Sequence, residues 1–140
     1  MVRLFWDTNI LLDLLGERVP FYEPAAKIAT LADEKRLSII VSALSFATAY
    51  YVLAKFESAE IVKNKLRKFK NISNICTLDE EIIGNGLNSD FKDFEDALQY
   101  LCAVKSNCDV LITRNRIDFK SASLPVMTAE EFLVGLKSYI

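Results

Sequence analysis

Five short apolar runs alternate with longer segments of helical hydrophobic spacing, and this alternation constrains the fold more than any other feature of the chain. The runs are Val2–Trp6, Leu37–Val41, Ile72–Cys76, Val110–Ile112 and Pro125–Met127, all of strand length. After the first run, Asp7-Thr8-Asn9 gives way to Ile10, Leu11, Leu12, Leu14 and Leu15 at helical density. Phe21–Lys35 gathers Ala25, Ile28, Ala29, Leu31 and Ala32 on one face, and Pro20 and Pro24 suit its first turns. Ser42 is a candidate N-cap for an apolar helix, Ala43–Phe56, expected to be buried on most faces. Ser58 opens a helix to about Lys70 with a basic outer side. Asp79–Leu87 and Asp93–Lys105 read as two more helices, the second with Ala97, Leu98, Leu101 and Cys102 or Val104 turned inward. Thr128 and Glu131 resemble a capping box that opens a last helix through about Leu136. Strands joined through helices need crossover connections. The spacing therefore predicts an α/β fold, a three-layer α/β/α domain with a mainly parallel sheet of about five strands, spanning residues 1–140 as one unit.

Composition narrows the chemistry. Histidine is absent, which removes Ser-His-Asp triads, His-ligated zinc and imidazole general bases. The three cysteines, Cys76, Cys102 and Cys108, form no C-x-x-C pair and read as reduced thiols. With 51% hydrophobic residues and only 4 Gly and 3 Pro, the chain has enough apolar surface to form a globular core. A net charge of -2 argues against coating nucleic acid by bulk charge, while leaving room for a local basic patch. No apolar run nears the ~20 residues that cross a bilayer, and Met1–Trp6 meets Asp7 without a long apolar leader, so no membrane partner and a cytoplasmic location are expected.

Open parallel sheets bind ligands beyond the carboxyl ends of their strands, so acidic residues there carry the most information. Asp7 directly follows the first run, Asp93 and Asp96 lie three residues apart at a helix start, and Asp118 lies six residues after Ile112. Several carboxylates in one cleft repel unless a cation screens them, and hard oxygen ligands without His or Cys suit Mg²⁺ or Mn²⁺. Such an ion generates a nucleophile from water and neutralises a phosphate under attack. Each residue also has a plainer reading, since Asp7, Asp93 or Asp96 alone can simply cap a helix. Asp79, Glu80, Glu81, Asp90 and Glu95 are assigned to solvated helix starts and faces, and Asp13 to the outer side of its helix. Lys63, Lys65, Arg67, Lys68 and Lys70 read as a solvent-facing helical surface, and Phe46, Tyr50, Tyr51, Phe56 and Phe69 as core or dimer surface.

Three motifs in register, Phe5-Trp6-Asp7-Thr8-Asn9, Asp93-Phe94-Glu95-Asp96-Ala97-Leu98 and Asp109-Val110-Leu111-Ile112-Thr113-Arg114-Asn115-Arg116-Ile117-Asp118-Phe119, resemble the PIN-domain ribonucleases, whose small members include the VapC-type toxins. The resemblance implies RNA cleavage dependent on Mg²⁺ or Mn²⁺, with a catalytic set of Asp7, Asp93, Asp96, Asn115 and Asp118. Asp7 and Asp96 would hold metal, the last acidic slot falls on Asn115 or Asp118, and Asp93 is accessory. Thr8, Asn9, Thr113, Arg114 and Arg116 would contact substrate, with Thr8 and Thr113 orienting carboxylates or water and the arginines meeting phosphate. RNA, an antitoxin protein and a second copy of the chain are the partners implied. One departure stands out: family members commonly carry Glu six residues after the serine that follows the second strand, and counting from Ser42 reaches Thr48. That departure supports an alternative, a PIN-fold nucleic-acid-binding or regulatory protein that has lost cleavage. A nucleotide- or phosphate-handling α/β enzyme is a third reading, but the sequence has no Gly-rich phosphate loop to support it.

Overall fold

The computed structural model describes all 140 residues, Met1–Ile140. Its elements run β1 (Arg3–Trp6), α1 (Thr8–Leu15), α2 (Tyr22–Asp33), β2 (Ser38–Ser42), α3 (Ala43–Leu53), α4 (Ala59–Asn71), β3 (Ser73–Cys76), α5 (Glu80–Leu87), α6 (Phe94–Lys105), β4 (Val110–Ile112), β5 (Val126–Met127) and α7 (Ala129–Val134). All five strands form one sheet in the order β3-β2-β1-β4-β5, and every neighbouring pair is parallel. This is the expected α/β architecture. Boundaries differ from the sequence reading by a residue or two where a capping residue such as Asp79 or Asp93 sits just outside its helix.

The strand runs carry apolar residues at successive positions because both faces of the sheet are covered. Leu4 and Trp6 of β1 turn to one face with Ile39, Val41, Val110 and Ile112, while Phe5 turns to the other with Ile40 and Leu111. On the first face α1, α2, α4 and α7 contribute Leu11, Ile28, Phe69 and Phe132, and Trp6 stacks on Phe69 at 5.5 Å between ring centroids. On the second face α5 and α6 contribute Ile82, Leu98 and Cys102.

Several expectations are corrected or refined. The helix after Ser42 ends at Leu53 and buries only the narrow stripe Ser45, Ala49 and Leu53, one residue per turn, leaving Tyr51 exposed and Phe56 outside the helix at 81% exposure. Asp13 does not face solvent: it is 1% exposed, enclosed where Arg114 closes over it. In α6, Ala97, Leu98 and Cys102 turn inward as expected and Leu101 is half-buried, Val104 is the exposed alternative at 46%, and Gln99 and Ala103 join the buried face. Lys63, Arg67, Lys68 and Lys70 are solvated as expected, but the Lys65 ammonium donates to the Leu15 carbonyl at 2.9 Å and to Glu57 at 2.8 Å, tying α4 to the end of α1. The polar segment after β4 contains a short 3-10 helix, Arg116–Phe119, anchored by the buried Phe119. The three thiols are free, and no helix is long and apolar enough to cross a membrane.

Candidate active site

The strand order reverses direction at one place. From β1 the chain builds outward through β2 to β3, then returns to add β4 and β5 on the opposite side, so a crevice opens at the carboxyl ends of β1 and β4. Asp7 leaves β1 there and Thr113 leaves β4. The Asp7 N–H donates to the Ile112 carbonyl at 2.9 Å, and the Thr113 hydroxyl donates to Asp7 Oδ2 at 2.8 Å. Asp7 is also the N-cap of α1, its Oδ1 accepting from the Thr8 N–H at 2.8 Å, so capping and site geometry coincide in one side chain.

A buried polar network continues beneath it. Gln99 Nε2 donates to Thr8 Oγ1 at 2.8 Å and to Ser45 Oγ at 2.9 Å, and approaches Asp7 Oδ1 at 3.4 Å. The Thr8 and Ser45 hydroxyls are hydrogen-bonded at 2.8 Å, and those of Ser42 and Ser45 at 3.2 Å. Four elements, α1, β2, α3 and α6, thus meet around one carboxylate that is 8% exposed. Burial pushes the Asp7 carboxyl above its ordinary 3.8, the bonds from Thr113, the Thr8 amide and Gln99 pull it back, and Asp118 adds a smaller upward push.

The other acidic residues crowd the same edge. Asp93 N-caps α6 by accepting the Asp96 N–H at 3.0 Å. Asp96, half-buried in the first turn, is pushed up to about 7, mainly by burial and then by the charges of Asp93, Asp7, Asp118 and Glu95. Glu95 is raised by burial, by Asp93 and by Asp7, so it belongs to this cluster as well as to the helix start. Asp118 projects from the exposed 3-10 helix. The structure therefore brings Asp7, Asp93, Asp96 and Asp118 into one electrostatic neighbourhood.

The remaining sequence candidates divide. Asn115 is exposed beside the crevice, its N–H donating to Thr113 Oγ1 at 3.1 Å. Asn9 is half-buried with its Oδ1 enclosed and unpartnered. Arg116 is exposed and pairs with Glu131 at 3.3 Å. Arg114 turns from the acidic edge, its Nε 2.9 Å from Asp13 Oδ2 and its guanidinium 4.1 Å above the Phe21 ring. Thr48 is half-buried, one turn beyond Ser45 on α3. Sequence reasoning missed Gln99, Ser42 and Ser45 as parts of the site. The signal available was a glutamine three residues after Asp96, on a face otherwise made of Ala97, Leu98, Cys102 and Ala103.

The donor set can be tested against a divalent ion. No three acidic or thiol side chains stand close enough to enclose an ion by themselves. The available donors are carboxylate oxygens, and the Asp96 carboxyl is raised first by burial and then by acidic neighbours, with no protein cation acting against them. A small hard cation that keeps several waters and takes only one or two carboxylates fits this edge, whereas a closed all-protein cage does not.

Comparisons with known proteins bear on the chain as a whole. The family profile described as PIN domain matches residues 3–117, which include every candidate site residue except Asp118. A curated relative, Ribonuclease VapC1 of Aquifex aeolicus (strain VF5), is 25% identical over 135 residues, covering 93% of this chain and 92% of that protein. Among solved structures, a toxin-antitoxin complex from Klebsiella pneumoniae matches at TM-score 0.63 and 25% identity, covering 90% of this chain and 97% of that one. FitAcB from Neisseria gonorrhoeae shares the fold at TM-score 0.68 and 16% identity, with 91% and 98% covered. VapBC2 from Rickettsia felis, bound to a promoter DNA fragment, does so at TM-score 0.65 and 20% identity, with 90% and 97% covered.

Proposed function

The chain belongs to the PIN-domain family, and on that premise we propose that it is a metal-dependent endoribonuclease, the toxin half of a toxin–antitoxin pair, acting as one domain over residues 1–140. The observation that carries this reading is the gathering of carboxylates at the strand-reversal crevice around Asp7, whose two oxygens are fixed by Thr113 and the Thr8 amide at 2.8 Å, with the half-buried Asp96 raised by burial and then by its acidic neighbours. Asp7 and Asp96 would hold Mg²⁺ or Mn²⁺ with Asp118 or Asn115 beside them and Asp93 in an accessory role. When bound, the ion lowers the pKa of water and offsets charge on the phosphate.

The protein's own groups supply the rest. Thr113, the Thr8 amide and Gln99 fix both oxygens of Asp7, so the carboxylate meets its ligand without rearranging. Arg116, on the exposed rim, is the available cation for a substrate phosphate, since Arg114 is engaged by Asp13. The toxin-antitoxin complexes among the similar structures support an antitoxin partner. The exposed Tyr51 and Phe56 support self-association through α3 and the turn after it.

A second reading, a PIN-fold nucleic-acid binder without cleavage, is favoured by Thr48 and by the lack of an enclosed ligand set. RNA incubated with the protein, with and without Mn²⁺, separates the two. Metal-dependent cleavage that Asp7→Asn abolishes supports the nuclease, and RNA retention without cleavage supports the binder.

A further inference from the structure

Among the ion pairs of the structure, only that between Arg114 and Asp13 has a buried member: the Asp13 side chain is 1% exposed and its Oδ2 lies 2.9 Å from Arg114 Nε. The Arg114 guanidinium also stacks 4.1 Å above the ring of Phe21, which directly precedes α2. The pair thus ties α1 and the start of α2 to the segment that follows β4. A buried ion pair returns little net stability, because desolvating both charges offsets most of their attraction. What such a pair supplies is a fixed geometry.

The segment it ties down carries the last acid of the crevice. Thr113 is already fixed without Arg114, since its N–H donates to the Met127 carbonyl at 2.9 Å and its hydroxyl to Asp7 at 2.8 Å. Beyond Arg114 the chain leaves the sheet, and Asn115, Arg116, Ile117 and Asp118 are all exposed. The next buried residue is Phe119, packed edge-on against Phe91 at 6.1 Å between ring centroids. Phe119 belongs to the core cluster on the second face of the sheet, whereas α1, which Arg114 reaches, packs on the first. The exposed span therefore crosses the sheet edge between two pins, one on each face. Within it the Asp118 N–H donates to the Asn115 carbonyl at 3.0 Å, and the Asp118 charge acts on Asp7 and Asp96.

We propose that Arg114 is a positioning residue and not a phosphate contact: held by Asp13 and Phe21, it pins the span Asn115–Asp118 over the crevice so that Asp118 stands with Asp7 and Asp96 around the metal. The inference rests on the metal-dependent nuclease reading above. A substrate phosphate that drew Arg114 away would leave the Asp13 charge buried without its paired cation, which is strongly unfavourable. Arg116, on the exposed span itself, has no such constraint.

The test compares the intact parent protein with Arg114→Gln, Arg114→Lys, Asp13→Asn and Arg116→Gln. Mn²⁺ affinity is read by isothermal titration calorimetry, metal-free binding of a single-stranded RNA hexamer by fluorescence anisotropy, and cleavage as kcat and KM, with melting temperature alongside. In Arg114→Gln, Mn²⁺ affinity and kcat should each fall by about tenfold or more, with KM and metal-free RNA binding near the parent's. Arg114→Lys should restore little, because lysine keeps the charge but not the planar group that stacks on Phe21. Asp13→Asn should reproduce Arg114→Gln, and the double variant should lose no more than either single one, since the two residues act as one unit. Arg116→Gln should give the opposite split, a raised KM at the parent's Mn²⁺ affinity. Where these variants fold poorly, Phe21→Ala, at a 41%-exposed position, removes only the stack and should give a smaller loss of Mn²⁺ affinity. In an Asp118→Asn background, Arg114→Gln should cause no further loss of Mn²⁺ affinity. Reduced RNA binding at the parent's Mn²⁺ affinity, restored by Arg114→Lys, would make Arg114 a phosphate contact and overturn the proposal. A lower melting temperature with Mn²⁺ affinity, kcat and KM unchanged would reduce the pair to a structural tie and overturn it too. If the parent binds Mn²⁺ but cleaves no RNA, a loss of Mn²⁺ affinity in Arg114→Gln upholds the positioning role while the nuclease reading fails. A parent that neither binds Mn²⁺ nor cleaves overturns both.

Discussion

Asp7 accepts from three donors supplied by three parts of the chain: the Thr8 amide, the Thr113 hydroxyl and the Gln99 amide. The last is the most exacting, since Gln99 is 1% exposed and also serves Thr8 and Ser45. Gln99→Leu keeps the volume but removes these bonds. It should weaken Mn²⁺ binding about 10- to 100-fold, the usual effect of losing a group that orients a metal ligand, as read by isothermal titration calorimetry. Asp7 was legible in the sequence because an acid directly after a strand can be placed at the sheet edge from order alone. Gln99 and Asp13 were not, because periodicity sorts residues by polarity and cannot say that a buried polar side chain has a partner. Asp13 gives a pH prediction. Burial raises its carboxyl above 3.8, with the charges of Arg114 and Arg18 offsetting only part of that rise. The folded protein therefore binds a proton that the unfolded chain has released, and this contribution to stability falls as pH rises from 3.8 through the native value. Asp13→Asn should flatten that part of a melting-temperature profile, and an unchanged slope would show that Asp13 is not responsible.

At the scale of elements, α3 is where sequence and structure part most clearly. Its apolar composition suggests burial on most faces, but Ser45, Ala49 and Leu53 suffice to seat it, and the rest of the helix is half-buried or exposed. Composition alone could not resolve this, because Ala and Tyr are tolerated on both sides of such a helix. Thr48 lies one turn from Ser45 and is already partly solvated, so a carboxylate there need not be fully desolvated. Thr48→Glu should fold normally and, if α3 supplies a ligand from this turn, bind Mn²⁺ more tightly than the parent through the added anionic oxygen. Unchanged affinity in a well-folded variant would argue that α3 contributes no ligand. Thr128 and Glu131 mark the start of α7 in the sequence, and they form a full capping box with bonds of 3.1 and 2.8 Å. Thr128→Ala should cost about 1 kcal/mol, a fall of roughly 3 °C in melting temperature by calorimetry.

For the molecule as a whole, the alternation of strands and helices carried the architecture, because parallel strands require crossovers and two helical layers follow from them. Strand order was not in that alternation. The order β3-β2-β1-β4-β5 makes the crevice between β1 and β4, and only there do Asp7, Asp96 and Asp118, far apart in sequence, act on one another. The motifs in register supplied what periodicity could not, since they linked that edge to a known chemistry. We propose that this edge cuts RNA with the help of a divalent ion. The most direct test of this is the cleavage rate of a single-stranded RNA by the purified protein with and without Mn²⁺, run beside Asp7→Asn at matched melting temperature. Endonucleolytic products are expected only when Mn²⁺ is present, with the rate in Asp7→Asn lower by at least about 100-fold. Cleavage that persists in Asp7→Asn, or intact RNA in every Mn²⁺ condition with the folded parent protein, would contradict it.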